Sequence, residues 1–308
     1  MTTCECFGLV TGMLLVMVGS AGCRQPDGPI PSPTGEQVNG TADVARDLLN
    51  MAAGQPDAVR ELNDDLYDWG DRAPDDFDGA FHYCRVMYQR NRSGAGGGWA
   101  TDYPDADVNL SVRLSELTST RVSRNASGEP NHLIVRLTDD GLFQCPFVMM
   151  QEAGALYIDE AEAPRLRAYL LKGGFLWVDD FWGSYAWDAW VSQIRKVLPP
   201  GEYPIVDVPK DPPIFRTLFA LRNGVPQVPS INFWLRSGGG TSERGADSAV
   251  VHVRGIFDAA GHLMVLMTHN TDISDSWERE GEDPNYFYLF SVDGYAVAIN
   301  VLLYAMTH

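Results

Sequence analysis

The alternation of apolar and polar positions is clearest over Asp159–Gly183, which reads DEAEAPRLRAYLLKGGFLWVDDFWG. Leu166, Tyr169, Leu170 and Leu171 recur at helical spacing between Asp159 and Lys172, and Gly173-Gly174 supplies the stop expected at a helix C-terminus. FLWVDD then reads as a strand that is apolar on both faces until its carboxyl end, the pattern of a central parallel strand. A helix, a stop, a buried strand and two carboxylates at the strand tip make half of a parallel α/β domain.

The flanking sequence extends the pattern. FHYCRVMY from Phe81 predicts a strand, followed by a Gly-rich loop from Ser93 to Gly98 and then Trp99. From Asp105, Val108, Leu110, Val112, Leu114 and Leu117 follow a helical period, and HLIVRL (132–137) and FVMM (147–150) predict two more strands. A helix is expected over Trp182–Leu198, then a Pro-rich surface crossover over Pro199–Pro213. VVHVRGIFD and HLMVLMTH, separated by Ala259-Ala260-Gly261, predict a hairpin. Tyr295–Met306 predicts a helix so apolar that it must be buried, with Asn300 as an internal amide bonded to a loop. Strands alternating with helices, plus one hairpin, predict a three-layer α/β domain with a mostly parallel sheet over residues 79–308.

Composition narrows the classes of function. The 308 residues are 45% hydrophobic and carry a net charge of −18, so a large core is available and the surface is acidic. Residues 24–80 hold 4 basic and 13 acidic side chains, half of that imbalance. Such a surface repels phosphate backbones and anionic lipid, which excludes nucleic acid as a partner and limits membrane contact to an anchor. The apolar run Phe7–Val18 is short for a membrane span and precedes Ser20-Ala21-Gly22-Cys23. Residues 1–23 therefore read as an export signal that resembles a bacterial lipoprotein processing site with Cys23 as the acylated residue. Ser20 stands where Leu is usual, and Glu5 precedes the run without any Lys or Arg. An ordinary signal peptide or a misassigned start is the alternative. Residues 24–78 read as a Pro-, Gly- and Ser-rich linker, a short helix over Ala42–Ala53 and an acidic flank. The expected location is the bacterial periplasm or outer surface. Cys84 and Cys145 are then either one disulfide or two buried thiols, and their spacing does not decide between them.

In an open parallel sheet, ligands bind where loops and helix N-termini converge beyond the carboxyl ends of the strands. Three polar groupings fall there: Trp99, Asp102 and Asp105 after the first strand, Asp179 and Asp180 ending the central strand, and His269, Asn270, Asp272, Asp275 and then Trp277-Glu278-Arg279 after the last. Neighbouring strand residues point to opposite faces, so Asp179 and Asp180 are not expected to share a site while the strand stays regular. A divalent metal ion, if one is a cofactor, would take Asp179, His269 and Asp272. Helix capping and loop bracing are the plain structural roles for the same residues. GAGGGW (94–99) lacks the spacing and the lysine of phosphate-binding loops. Trp182, Trp187 and Trp190 are either a sugar-stacking platform or core, and no G-x-S-x-G elbow surrounds Ser184 or the cysteines.

From Phe81 to His308 the chain resembles the bacterial domain-of-unknown-function family 4159. The motifs that carry the likeness are CPFVMM, EAPRLRAYLLKGGFLWVDDFWG, the Pro-rich crossover leading to PIF, HNTDISDSWER and AINVLLYAMTH. The resemblance brings no activity with it. It implies a flavodoxin-like, class I glutamine amidotransferase-like three-layer sandwich, and the helix, Gly-Gly and strand unit also resembles trehalose-utilisation proteins and the trimerisation domain of some β-galactosidases. Where amidotransferases carry a cysteine after the central strand, Asp180 and Phe181 stand here, and His269 stands near the place of their late-loop histidine. Glutaminase chemistry is thus expected to be lost. Trehalose-utilisation proteins carry a histidine where Asp179 stands, which leaves room for a repurposed polar cleft. Three functions follow, in order of preference. The first is non-catalytic binding of a small polar ligand, a carbohydrate or an envelope protein. The second is a metal-assisted hydrolase or lyase using Asp179, His269 and Asp272, and the third a structural scaffold in an envelope complex.

Overall fold

Five parallel strands and an antiparallel pair form the central sheet, in the order β3-β1-β4-β6-β9-β8-β7. The computed structural model describes residues 77–209, 212–221 and 223–308, so the signal segment, Cys23, the linker, the helix expected over Ala42–Ala53 and the acidic flank up to residue 76 lie outside the described residues. The strands are β1 (Tyr83–Val86), β3 (His132–Val135), β4 (Phe147–Gln151), β6 (Phe175–Phe181), β7 (Val206–Asp207), β8 (His252–Phe257) and β9 (Leu263–His269). β3, β1, β4, β6 and β9 run parallel, β8 returns antiparallel on β9, and β7 pairs antiparallel with β8. Short strands β2 (Gln89–Arg90) and β5 (Leu156–Tyr157) form a separate antiparallel pair. The chain passes from β1 to β3 on one side and then to β4 on the other, so the strand order reverses beside β1, where crevices open in such sheets.

Strand alternation assigns the helices to two layers. Cys84, Val86, Val148, Met150, Leu176, Val178, Val265 and Met267 face one side and pack on α2 (Glu162–Leu171) and α3 (Gly183–Val197). Tyr83, Phe147, Met149, Phe175, Trp177 and Leu266 face the other and pack on α1 (Asp105–Leu117), on α4 (Ile231–Ser237) and on the helix that closes the chain. Each large side chain so buried stabilises the fold by about 1.5–3 kcal/mol relative to exposure. β6 is buried at all seven positions, as its two-sided apolar pattern demands.

Local chemistry sets the helix ends. Asp159 Oδ1 accepts from the Ala161 and Glu162 N–H groups while Glu162 Oε2 accepts from the Asp159 N–H, a capping box at the start of α2. At its other end Gly173 has φ +97°, and a Cβ on Gly174 would lie 2.4 Å from the Tyr169 ring, so both glycines are required. The last helix begins with a turn at Pro284–Tyr286, passes through a π turn at Phe287–Ser291, and continues as Val292–Thr307. Its length and composition alone would let it cross a membrane, yet Val297, Ala298, Ile299, Val301 and Leu302 are buried against the sheet. Asn300 accepts from the Leu218 and Phe219 N–H groups and donates to the Phe219 carbonyl, the internal amide-to-loop bond expected of it. Cys84 and Cys145 are joined in a disulfide, which resolves the question their spacing left open.

Candidate functional site

At the carboxyl ends of four adjacent strands, alternation places polar residues on the α1 face: Arg85 on β1, Gln151 on β4, Asp179 on β6 and Thr268 on β9, all fully buried. Arg85 organises them. Its Nε donates to both carboxylate oxygens of Asp107 at 3.0 and 3.1 Å, and Nη2 also reaches Asp107 Oδ1. Nη1 donates to the carbonyls of Trp99 and Thr101 and to Gln151 Oε1. Burial works against the guanidinium's charge, but the partner Asp107 outweighs it and the charged form is strengthened. Gln151 passes the order on: its Nε2 donates to Asp102 Oδ2 at 2.9 Å and to Ser274 Oγ.

The expectation that Asp179 and Asp180 diverge is overturned by a β-bulge. Val178 pairs with Met267 but Phe181 pairs with His269, so β6 carries one extra residue, and Asp180 takes φ +53°. Both carboxyls thereby join the same cluster. Asp102, Glu152 and Asn270 also have positive φ, and with Asp180 they are all the non-glycine residues with that geometry among the described residues. Each lies within the rim of this cluster, where backbone strain is held in place by surrounding bonds. Glu152 shows how. Gly98 N–H donates to its Oε2 at 2.6 Å, and a Cβ on Gly96 or Gly97 would meet the same carboxylate within 3 Å. The Gly-rich loop therefore cradles a carboxylate of its own chain.

Carboxyl groups crowd the centre. Ser274 Oγ lies 3.2 Å from Asp102 Oδ2, 3.2 Å from Asp179 Oδ2 and 3.0 Å from Asp272 Oδ1. A hydroxyl has one proton to donate, and Gln151 already occupies one of its lone pairs. With all three carboxylates ionised, two of these contacts would set lone pair against lone pair. A carboxyl proton or a cation is needed to relieve them. Thr268 Oγ1 donates to Asp179 Oδ1, and the Ser274 N–H donates to Asp179 Oδ2 at 3.0 Å. Asp272 Oδ1 accepts from the Asp275 N–H and so starts the short helix α5 (Asp275–Glu278). Asp275 Oδ2 accepts from the Ile231 N–H and from Tyr286 Oη.

Asp102, Glu152, Asp179, Asp180, Asp272, Asp275 and Glu278 are each held toward the protonated form. Burial, then Asp275, brings Asp102 up to about 7; burial brings Asp179 up to about 6 against the hydrogen bonds from Thr268 and Ser274. Burial, then Asp102, lifts Glu278 to about 9. Asp180 and Asp272 are pushed well above the usual carboxylate range by burial and by each other's neighbours, and Glu152 and Asp275 are raised by burial. One oxygen each from Asp102, Asp180 and Asp272 lies within 4.8 Å of the others, and so do oxygens from Asp102, Asp275 and Glu278. Either trio has the hard oxygen donors that Mg²⁺, Mn²⁺ or Ca²⁺ take.

Of the residues expected at a site, Asp102, Asp179, Asp180, Asp272 and Asp275 are brought together. His269 is not, so the trio Asp179, His269 and Asp272 does not form. Thr268 takes the position facing Asp179, and His269, one residue on, points to the opposite face. There its Nε2 donates to the Gly183 carbonyl at 3.0 Å, Arg254 Nη1 approaches Nδ1 at 3.5 Å, and the ring lies against Phe181 and Trp187. Burial, then Arg254, depresses it to about 4, so it is a neutral brace. Asn270 is a brace as well, accepting from the Gly183 N–H and donating to the Val250 carbonyl. Trp99 gives its carbonyl to Arg85, and its ring lies 6.4 Å from that of Tyr103. The sugar-stacking platform also dissolves. Trp190 is core, Trp182 Nε1 donates to Asp180 Oδ1, and Trp187 lies between Phe181 and the Arg254 guanidinium.

Glu278, named with the grouping after the last strand, joins the cluster, whereas Arg85, Asp107, Gln151, Glu152, Thr268 and Ser274 are not singled out by the sequence. Arg85 left a usable signal, a lone charge inside the apolar strand FHYCRVMY. Gln151 and Ser274 left none, since an amide after a strand and a serine in a polar loop are ordinary.

No curated protein matches the chain. A family model does, over residues 82–306, which covers both layers and every member of the carboxylate cluster. The chain belongs to that family, described as domain of unknown function DUF4159.

Proposed function

We propose that the carboxylate cluster is a site for a hard divalent cation, held by Asp102, Asp180 and Asp272, and that the domain acts through that ion as a metal-assisted hydrolase or lyase on a small polar substrate. One observation carries this. Asp102, Glu152, Asp179, Asp180, Asp272, Asp275 and Glu278 act on one another in one cluster, and the one buried guanidinium among the described residues, Arg85, is already neutralised by Asp107. Arg90 and Arg279 act only from the margin, on Glu152 and on the Asp275–Glu278 pair. Such a group either stores protons or binds a cation. A cation would relieve the Ser274 contacts and polarise a bound water as the nucleophile. Asp179, bonded to Thr268 and Ser274 in the same cluster, would be the acceptor for that water's proton.

Counted in chain order, the five parallel strands run 2-1-3-4-5, the doubly wound order of flavodoxin, which supports the finer fold of an amidotransferase-like sandwich. In that frame Asp180, at φ +53° in the bulge near the end of β6 and three residues before α3 begins, corresponds to the elbow where a nucleophile would sit. Both cysteines among the described residues are tied up in the disulfide, so no thiol is there to replace it. The same disulfide suits an oxidising compartment and supports export with Cys23 as the lipid anchor.

Calorimetric titration of the metal-free protein with Mg²⁺, Ca²⁺, Mn²⁺ and Zn²⁺ tests the site. Saturable binding is expected, weakened at least ten-fold by Asp180→Asn or Asp272→Asn and unchanged by His269→Ala. No binding by any of the four ions would end the metal reading and return the search to envelope partners.

A further inference from the structure

Helix α3 starts without a cap of its own: Trp182 at the N-cap offers no side-chain acceptor. The missing acceptor comes from 63 residues away. Asp247 Oδ2 accepts from the Ser184 N–H at 2.8 Å and from Ser184 Oγ at 3.2 Å. Gly183 makes this approach feasible, because a Cβ there would lie 2.5 Å from Asp247 Oδ2. An acid at a helix N-terminus is favourable, and at a surface position the gain is modest, which makes the contact reversible.

Asp247 belongs to a strap that leaves α4 at Ser237 and rejoins the sheet before β8. Gly238 and Gly239, with φ +72° and +100°, end α4 in a left-handed cap in which the Gly239 N–H donates to the Trp234 carbonyl, so the chain turns sharply where the strap begins. The strap is fastened at four other places, the first being Thr241 Oγ1, which donates to Gln227 Oε1 at 2.8 Å. Gln227 Nε2 donates to the Ser248 and Asn270 carbonyls, Asn270 Nδ2 donates to the Val250 carbonyl, and Glu243 Oε1 accepts from the Ser230 N–H. Glu243 is also close enough to Glu152 to strengthen its hold on a proton. The strap thus runs between Gly183–Ser184, just beyond Asp180, and Asn270, just before Asp272.

We infer that Ser237–Ala249 is a lid at the mouth of the carboxylate site, latched by Asp247 on the N-terminus of α3, and that release of this latch admits the cation and its polar ligand. The gating role rests on the cation reading above; the latch does not. Hydrogen exchange measured by mass spectrometry on the full chain without added ions tests the latch. Asp247→Ala should speed exchange of the 237–249 peptide about five-fold and Ser184→Ala less, since its N–H remains, with the urea midpoint unchanged. Exchange that stays at the wild-type rate, or that rises equally in β6 and β9, overturns the proposal. Stopped-flow tryptophan fluorescence with Mn²⁺ tests the gate, and Asp247→Ala should raise the association rate by a similar factor. An unchanged association rate in a variant whose strap exchanges faster also overturns it. If wild-type protein takes up no Mn²⁺, the cation reading and the gate fail together, while the exchange result still decides the latch.

Discussion

The carboxyl end of the sheet presents two polar faces built from alternate residues of the same strands, and they solve the problem of buried polarity in opposite ways. On the α1 face, Asp179 and Thr268 belong to a network in which acids outnumber bases and proton donors are too few. On the α3 face, His269 is neutral, bonded at both nitrogens and enclosed by Phe181 and Trp187. The second face is finished. The first needs something more, a proton or a cation, and that shortfall is what separates a binding site from a well-packed end of a fold.

The hardest way to break the contrast is to remove Arg85, the one buried cation among the described residues. Arg85→Met leaves Asp107 buried and unpaired and frees Gln151 and the Trp99–Thr101 carbonyls, at an expected cost of about 3–5 kcal/mol. The matching change on the other face, Arg254→Met, loses a contact with the exposed Asp207 and a stacking on Trp187, and should cost about 1 kcal/mol or less. Urea midpoints of the two variants compare them directly. Equal losses would mean that the α1 face is no more dependent on its charge balance than the other.

Next in size is the disulfide. Cys84 and Cys145 lie in the α3-side core and close a loop across 61 residues of sequence separation. Replacing both with alanine should lower stability by about 2–4 kcal/mol, chiefly through the unfolded chain. Because the pair packs away from the acids, cation affinity of the folded variant should not change. A loss of affinity would show that the two faces are coupled.

How much of this could be read from the chain depended on periodicity. Strands, helices, the hairpin and the Gly-Gly stop follow from two short periods that survive in sequence. The face a residue occupies follows from the same period, but only once register is known: Val178 opposite Met267 puts Thr268, not His269, beside Asp179. Chemical interest favoured the histidine, and parity favoured the threonine. That Asp180 shares a site with Asp179 was illegible for a different reason. A bulge inserts one residue into the pairing, and nothing in LWVDDFW announces it. Arg85 and Ser274 matter through partners 22 and 95 residues distant, which no local pattern encodes.

The two faces should also answer pH in opposite directions. Asp102 and Asp179 move from a usual value of 3.8 to about 7 and about 6 in the folded state. The folded protein therefore binds more protons than the unfolded chain between pH 4 and 7. Stability from these groups is full below pH 4 and is lost as pH rises through 6 to 7. His269 falls from 6.5 to about 4, so its contribution is full above 6.5 and is lost as pH falls toward 4. Urea midpoints measured from pH 4 to 8 separate them. Asp102→Asn should flatten the neutral side, His269→Gln the acid side, and saturating Mg²⁺ should flatten only the first. A Mg²⁺ effect on the histidine branch would contradict the separation of the faces.

The smallest expected effect is the sharpest. Asn tolerates φ +53° as Asp does, and its carbonyl can still accept from Trp182 Nε1, so Asp180→Asn keeps the bulge and its hydrogen bond. It removes a carboxyl that burial and its acid neighbours hold toward the protonated form, so that folding at neutral pH must draw a proton onto it, a cost that an amide does not carry. Without divalent ions at pH 7 the variant should therefore be more stable than the natural chain, by about 1 kcal/mol. With saturating Mg²⁺ the order should reverse, because only the natural chain gains the free energy of binding. A residue kept for packing would lose stability under both conditions. A crossing of the two melting curves with added ion is the behaviour of a position held at a cost to the fold for the sake of its ligand.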